Sequence, residues 1–249
     1  MKKGWNVLVQ YQSLIWIVAA WELVAFVHIM PERLFPSLAK VVAVSFDLIS
    51  SGLLMENLPA TLLRVSAGFA LAIVVGVPLG LLMSRSALLN DVMQPMFSLG
   101  YPIPRVALYP ILVFILGLGS ASKITLIFIE CLFPIVLNTY YGATRVGKLY
   151  LWAGQNMGAS RSQIFWRVLL PATLPSIFTG LKMALPLAFI IAVLTEMIGS
   201  TVGMGYLLSY MSASLMQEKV LACVLLITLV GYLLNLLLQA VSRKYVYWQ

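Results

Sequence analysis

Charge is what this sequence has least of. Only 10 % of its 249 residues are Asp, Glu, Lys or Arg, against about 25 % in soluble domains. There are two aspartates (Asp47 and Asp91), one histidine (His28) and two cysteines (Cys131 and Cys223). One histidine and a few scattered acids offer no geometry for metal, acid–base or nucleophilic chemistry, which counts against an enzyme. Both cysteines sit inside apolar runs and lack the spacing of a disulfide framework or metal site. They read as small core or lipid-facing residues, and His28 reads as an interfacial residue. Apolar residues are in excess, at 61 %, with a mean hydropathy of +0.98. No globule of this size can hide that much apolar surface, because burial saturates with size. The remaining solvent is lipid, so the chain is an integral membrane protein. Its +8 balance comes from thinly scattered cations that make no nucleic-acid-binding stripe and instead mark cytoplasmic loops.

A bilayer-crossing helix needs about 20 mostly apolar residues. The first such run is 14–30, an uncleaved span preceded by Lys2 and Lys3. Pro31 and Pro36 follow, and an external amphipathic segment over 34–54 lies on the membrane surface. A second span runs from Thr61 to Met83, where Gly76 and Gly80 let another helix approach closely and Pro78 suggests a kink. Pro95, Pro102, Pro104 and Pro110 break the region 88–119, and Arg105 splits its apolar run. The expectation there is a broken or re-entrant start to a third span, followed by a tight turn at Gly117–Ser120. A fourth span covers Ile124–Thr144, a fifth Gly180–Ile198 and a sixth Val220–Val241. Between the fourth and fifth, the polar insertion 145–175 reads as two short helices. The first, near Leu149–Met157, ends at Gly158, which suits a left-handed turn. Ser160 caps the second, and Pro171 stops it.

Cations set the orientation. With six spans and a cytoplasmic N terminus, Lys2, Lys3, Arg85, Arg145, Lys148, Arg161, Arg167, Lys182, Arg243 and Lys244 fall inside. Arg33, Lys40, Arg64, Lys123 and Lys219 fall outside, with Arg105 unassigned. Ten against five is the bias of an N-in, C-in protein, which makes the insertion cytoplasmic.

Gly142 to Lys148 has the G-x-x-x-x-G-K spacing of a phosphate-binding loop. Leu149 follows where a magnesium-binding hydroxyl belongs, and the setting is the end of a membrane helix, not a strand-to-helix turn. Nucleotide binding by this chain is excluded on that basis. Glu130 and Glu196 lie in or at the ends of spans, where a charge is functional by default. Each either binds a solute or proton along a translocation pathway, or pairs with a neighbouring helix or the interface. Arg105 poses the same alternative, and its broken-helix setting favours a polar pathway.

Within the insertion, Ala153-Gly154-Gln155-Asn156-Met157-Gly158-Ala159-Ser160, then Arg161-Ser162-Gln163, Val168 and Leu170-Pro171, resemble the EAA loop of binding-protein-dependent ABC importer permeases. Trp152 stands where that pattern has glutamate, and Gly154 replaces its second alanine. Phe35-Pro36-Ser37, Thr61-Leu62-Leu63-Arg64, Pro102-Ile103-Pro104, Glu196-Met197-Ile198 and Gly203-Met204-Gly205 resemble the nitrate/sulfonate/taurine/bicarbonate branch of the family.

The resemblance implies an all-α permease of a bacterial inner membrane, a single transmembrane domain 1–249 with an importer core at 58–242. It would act as a non-catalytic homodimer. Two copies of a separate cytoplasmic ATPase would hold ATP and magnesium, and an external solute-binding protein would deliver substrate. Trp152, Ala153, Gly154, Gly158, Ala159, Ser160, Arg161 and Gln163 would then contact the ATPase as a coupling helix. The implied cargo is a small anion such as a sulfonate, taurine, nitrate or bicarbonate. A vitamin precursor or aromatic compound is the alternative within the family, and an ATP-independent secondary transporter the alternative outside it.

Overall fold

The computed structural model describes residues 2–27 and 31–246. His28 and the end of the first apolar run lie outside the described residues. Every regular element among the described residues is helical. α1 (Lys2–Phe26) is peripheral and largely exposed over its apolar stretch Ile15–Phe26. Its end is pinned to the following chain, where the Trp21 indole donates to the Pro36 carbonyl at 3.1 Å and Glu22 accepts from the Leu38 N–H at 2.8 Å. α2 (Leu38–Ser50) starts at the Ser37 cap and buries Val41, Ser45 and Leu48, one helical face. Gly52, at φ +82°, turns the chain into α3 (Leu53–Met83), which starts eight residues before the expected span.

α4 (Ala87–Gly100), the 3₁₀ turn Arg105–Leu108 and α5 (Tyr109–Leu116) make the broken region. The two arms meet at 94°, as the prolines at 102 and 104 led one to expect. α6 (Ser120–Thr144) is the centre of the bundle. Leu126, Ile127, Cys131 and Ile135 are inaccessible there, packed with Ala72 of α3 and with Ala184, Ala188 and Ala192 further along the chain. The glycine spacing on α3 explains this closeness. A methyl at Gly76 would come within 2.9 Å of Ile135, and one at Gly80 within 2.7 Å of the Val136 carbonyl. Only glycine lets these backbones approach so far.

The insertion forms α7 (Lys148–Asn156) and the single turn α8 (Arg161–Ile164). A π turn, Phe165–Leu169, then leads into α9 (Leu170–Gly199). Pro171 therefore does not stop the second insertion helix, which runs unbroken into the fifth span as one 39-residue apolar helix. The wide turn ahead of Pro171 accommodates a residue that has no N–H for the carbonyl four back. Lys182, counted above with the cytoplasmic cations, thus lies twelve residues into α9. α10 (Met204–Ala213) is too short to cross and lies between α9 and α11 (Gln217–Tyr245). It shares a second apolar cluster with α2 and α11, containing Val41, Met204, Leu207 and Cys223.

α3, α6, the 39-residue helix and α11 are each long and apolar enough to cross a bilayer, and the bent pair makes up to five. The chain does traverse the bundle over 84–119. Arg85 borders a cleft with the insertion, whereas Leu118 and Ser120 border one with Arg64 and Gly199 at the opposite end.

Candidate functional site: an exposed insertion and a set of clamped helix breaks

The insertion is built by local chemistry. α7 ends in a Schellman turn, with Ala159 N–H donating to the Gly154 carbonyl at 3.0 Å and Gly158 N–H to the Gln155 carbonyl at 2.9 Å. Gly158 sits at φ +79° with nothing within 4 Å of where a side chain would start, the conformation glycine adopts without strain. Ser160 and Gln163 form a reciprocal capping box. Gln163 N–H donates to the Ser160 hydroxyl at 3.3 Å, and Ser160 N–H donates to the Gln163 side chain at 2.8 Å. Gly154 lets α7 and α8 close together, its methyl position being 3.3 Å from Ile164. The insertion is thus finished internally, yet it leaves large apolar side chains exposed among its polar ones. Leu149, Tyr150, Trp152, Met157 and Trp166 are all more than half exposed, Met157 at 88 %. Beneath it lies a cleft of about 580 Å³ bordered by Arg85, Trp152, Gln155 and Arg161.

The phosphate-loop spacing at 142–148 has no loop at its start. Gly142 is in the last turn of α6, buried against Ser176.

At the end away from the insertion, Glu196 is fully buried. Arg64 Nη1 donates to it at 2.6 Å, the Thr61 hydroxyl at 2.8 Å and the Gly205 N–H at 3.0 Å. Asn57 accepts from the Gly203 N–H at 2.9 Å, and the Thr61 oxygen accepts from the Met204 N–H at 2.8 Å. Residues of α3 and α9 thus cap the first N–H groups of α10, where a carboxylate also suits the helix dipole. Arg64 reaches the Val202 carbonyl at 2.9 Å as well.

Arg105 and Glu130 meet in a two-pronged pair, 2.9 and 2.8 Å, with the guanidinium 4.4 Å from the Phe133 ring. Arg105 also donates to the Gly100 carbonyl at 3.2 Å, one of the groups that the end of α4 leaves without an intrahelical partner. Lys123 does the same toward the Glu196 end, donating to the carbonyls of Leu118 (2.6 Å), Gly119 (3.2 Å) and Gly199 (3.0 Å). Each cation satisfies backbone oxygens freed where a helix breaks or ends, which hydrocarbon cannot do. The structure brings Arg105 and Glu130 together and places Glu196 apart from them, beside Arg64. Arg64 and Lys123 therefore serve the interior of the bundle, not a loop. Sequence reasoning missed both roles, since the partners lie 132 and 76 residues apart.

The structure is thus a helical bundle with a clamped, bent helix pair and a capped helical insertion outside its apolar core. The chain matches the family model "Binding-protein-dependent transport system inner membrane component" over residues 72–247, and it belongs to that family. It is 33 % identical over 195 residues to the taurine transport system permease protein TauC of Escherichia coli, covering 78 % of this chain and 71 % of that protein. It is 35 % identical over 233 residues to the formylaminopyrimidine transport permease protein ThiX of Halalkalibacterium halodurans, covering 94 % and 92 %. The fold is shared with a chain of the inward-facing MetNI methionine ABC transporter at TM-score 0.64 and 20 % identity, covering 76 % of this chain and 94 % of that one. The protein is accordingly a non-catalytic, multi-pass inner-membrane permease subunit of an ABC importer.

Proposed function

We propose that this permease imports a small anion as a homodimer with six spans per chain and both termini in the cytoplasm. The insertion 145–175 docks on a separate ABC ATPase, two copies per assembly, which binds the ATP and magnesium. An external solute-binding protein supplies the substrate. The observation that carries the reading is the insertion itself, a self-capped helix–turn–helix that exposes Leu149, Tyr150, Trp152, Met157 and Trp166 among its polar side chains. Such a surface outside the apolar core calls for a protein partner. Gly158, Ala159 and Ser160 provide a small-residue approach, Ala153, Gly154, Arg161 and Gln163 shape and orient the contact, and Trp152 packs at its edge. ATP-driven closure of the ATPase pair would pull the two insertions together and rock the spans between two states. Arg105, Glu130 and Glu196 serve the passage by holding the broken span and the far end in shape during that motion.

An anion as cargo is supported by the names of the relatives TauC and, at 37 % identity, the nitrate import permease protein NrtB of Synechocystis. The name of ThiX favours a second reading, a pyrimidine vitamin precursor. The test is uptake into liposomes carrying this chain with its co-expressed ATPase and binding protein. Labelled taurine, nitrate or an alkanesulfonate should accumulate only with ATP and binding protein present. Accumulation without ATP would overturn the coupling. A thiol at Ser160→Cys should be shielded from an impermeant reagent outside intact cells, and its labelling there would reverse the orientation.

A further inference from the structure

Lys182 differs from the other cations held deep in the bundle. Arg64 is paired with Glu196 and Arg105 with Glu130, and Lys123 is held by three carbonyls. Lys182 is exposed, and no carboxylate among the described residues forms an ion pair with it.

Its depth follows from packing. Gly142, near the end of α6, lies against Ser176 of α9, so Ser176 marks the level at which the bundle meets the insertion. Lys182 is six residues further along α9, about 9 Å deeper at 1.5 Å per residue. Gly180 beside it packs on Pro134 and Asn138, well inside α6. An unpaired ammonium at that depth is costly against lipid and marks a polar route by default.

A second observation points the same way. Pro186 lies inside α9, so the carbonyl of Lys182, four residues earlier, receives no N–H from it. Lys182, Pro186 and Ile190 are spaced i, i+4, i+8 and share one face, and all three are exposed. That face therefore presents a cation and a freed carbonyl in the same place, and both need water or a polar partner.

We propose that the Lys182–Pro186–Ile190 face of α9 lines the water-filled passage and that Lys182 makes the passage selective for anions. The proposal rests on the importer reading above and narrows its cargo to an anion, against the pyrimidine alternative. The passage is formed where this face meets that of the second copy, so each assembly places two ammonium groups on the route. A solute carrying a sulfonate, carboxylate or nitrate group is attracted there, and a cation is repelled.

The test needs no knowledge of the natural cargo. Ile190→Cys puts a thiol on the same face, about 12 Å from Lys182 along the helix. The native thiols Cys131 and Cys223 are buried. In membranes containing the permease with its ATPase, the thiol is reacted with methanethiosulfonate reagents, one bearing a sulfonate and one a quaternary ammonium. The expected result is reaction with both reagents. The anionic-to-cationic rate ratio should then fall about tenfold when Lys182→Gln is added, the size of effect a unit charge exerts at this range in a partly hydrated site, and Lys182→Arg should restore it. A thiol inert to both charged reagents would mean that the face meets lipid and that Lys182 reaches to the headgroups, which overturns the proposal. An unchanged ratio in Lys182→Gln would overturn the selectivity. ATP hydrolysis stimulated by the binding protein, measured on the same membranes, reports separately on the importer reading.

Discussion

The two ends of the bundle treat their unpaired groups in opposite ways. At the Glu196 end, residues from α3, α9 and α10 converge, every oxygen of the buried carboxylate has a donor, and the first N–H groups of α10 are capped by side chains of other helices. At the insertion end, α7 and α8 satisfy their own backbone through Gly158 and the Ser160 box but leave large apolar side chains in the open. The first end is completed by the chain itself. The second is complete as secondary structure and unfinished as a surface, the state expected of an element whose partner is another protein.

The contrast sets a ranking of mutational effects. The largest is Glu196→Ala, which strands a buried guanidinium and the Gly205 N–H. Breaking such a pair costs about 3–5 kcal/mol, seen as a large fall in thermal stability and folded yield in detergent. The double change Arg64→Met with Glu196→Met should cost less than Glu196→Ala alone, because it leaves no orphaned charge. Next is Gly80→Ala, where the new methyl meets the Val136 carbonyl at 2.7 Å. Forcing α3 from α6 costs about 1–3 kcal/mol, read as a lower unfolding midpoint with the insertion's amide exchange unchanged.

Smaller still is Ser160→Ala, which removes one half of the capping box at about 1 kcal/mol. Its effect should be confined to faster hydrogen exchange at Ser162 and Gln163, with global unfolding unmoved. A global loss from Ser160→Ala as large as that from Glu196→Ala would erase the distinction between the two ends. The smallest effect is at Lys40, which bridges Glu218 at 2.7 Å and Glu32 at 3.1 Å on the surface. Hydrogen bonding to Glu218, then to Glu32, raises its pKa above the usual lysine value. A raised lysine pKa stabilises the fold fully below the unfolded value of about 10.4 and loses that effect only as pH climbs through the folded value. The difference in melting temperature between Lys40→Met and the parent should therefore be small and constant from pH 6 to 9.

Much of this arrangement was legible in the sequence, for reasons that are local. Gly158 marked a left-handed turn and Ser160 a helix cap two residues on, and the structure has both. Four prolines and an arginine marked the broken span, and the Gly76 and Gly80 pair marked the close helix approach. What was hidden depends on distance or on helix rotation. Nothing local says that Glu196 belongs to Arg64, or that Lys123 serves a carbonyl at Gly199. Pro171 looked like a stop because its cost is local, whereas the π turn that absorbs it depends on packing of Leu169 into the interior. Lys182 was counted with the cytoplasmic cations because it stood at the edge of a span expected to begin at Gly180, whereas α9 begins at Leu170.

The central claim, that the insertion is the contact for a separate ATPase, is tested most directly at Gly158. Its surroundings are empty and its φ is +79°, so Gly158→Asp strains the turn by about 1 kcal/mol without striking anything in this chain. ATPase co-purifying with the tagged permease should then be measured for Gly158→Asp and for its neighbour Ser162→Ala, alongside the parent. The account predicts normal membrane insertion for both, a fall of tenfold or more in retained ATPase for Gly158→Asp, and near-parent retention for Ser162→Ala. Parent-level retention and uptake with Gly158→Asp would contradict it.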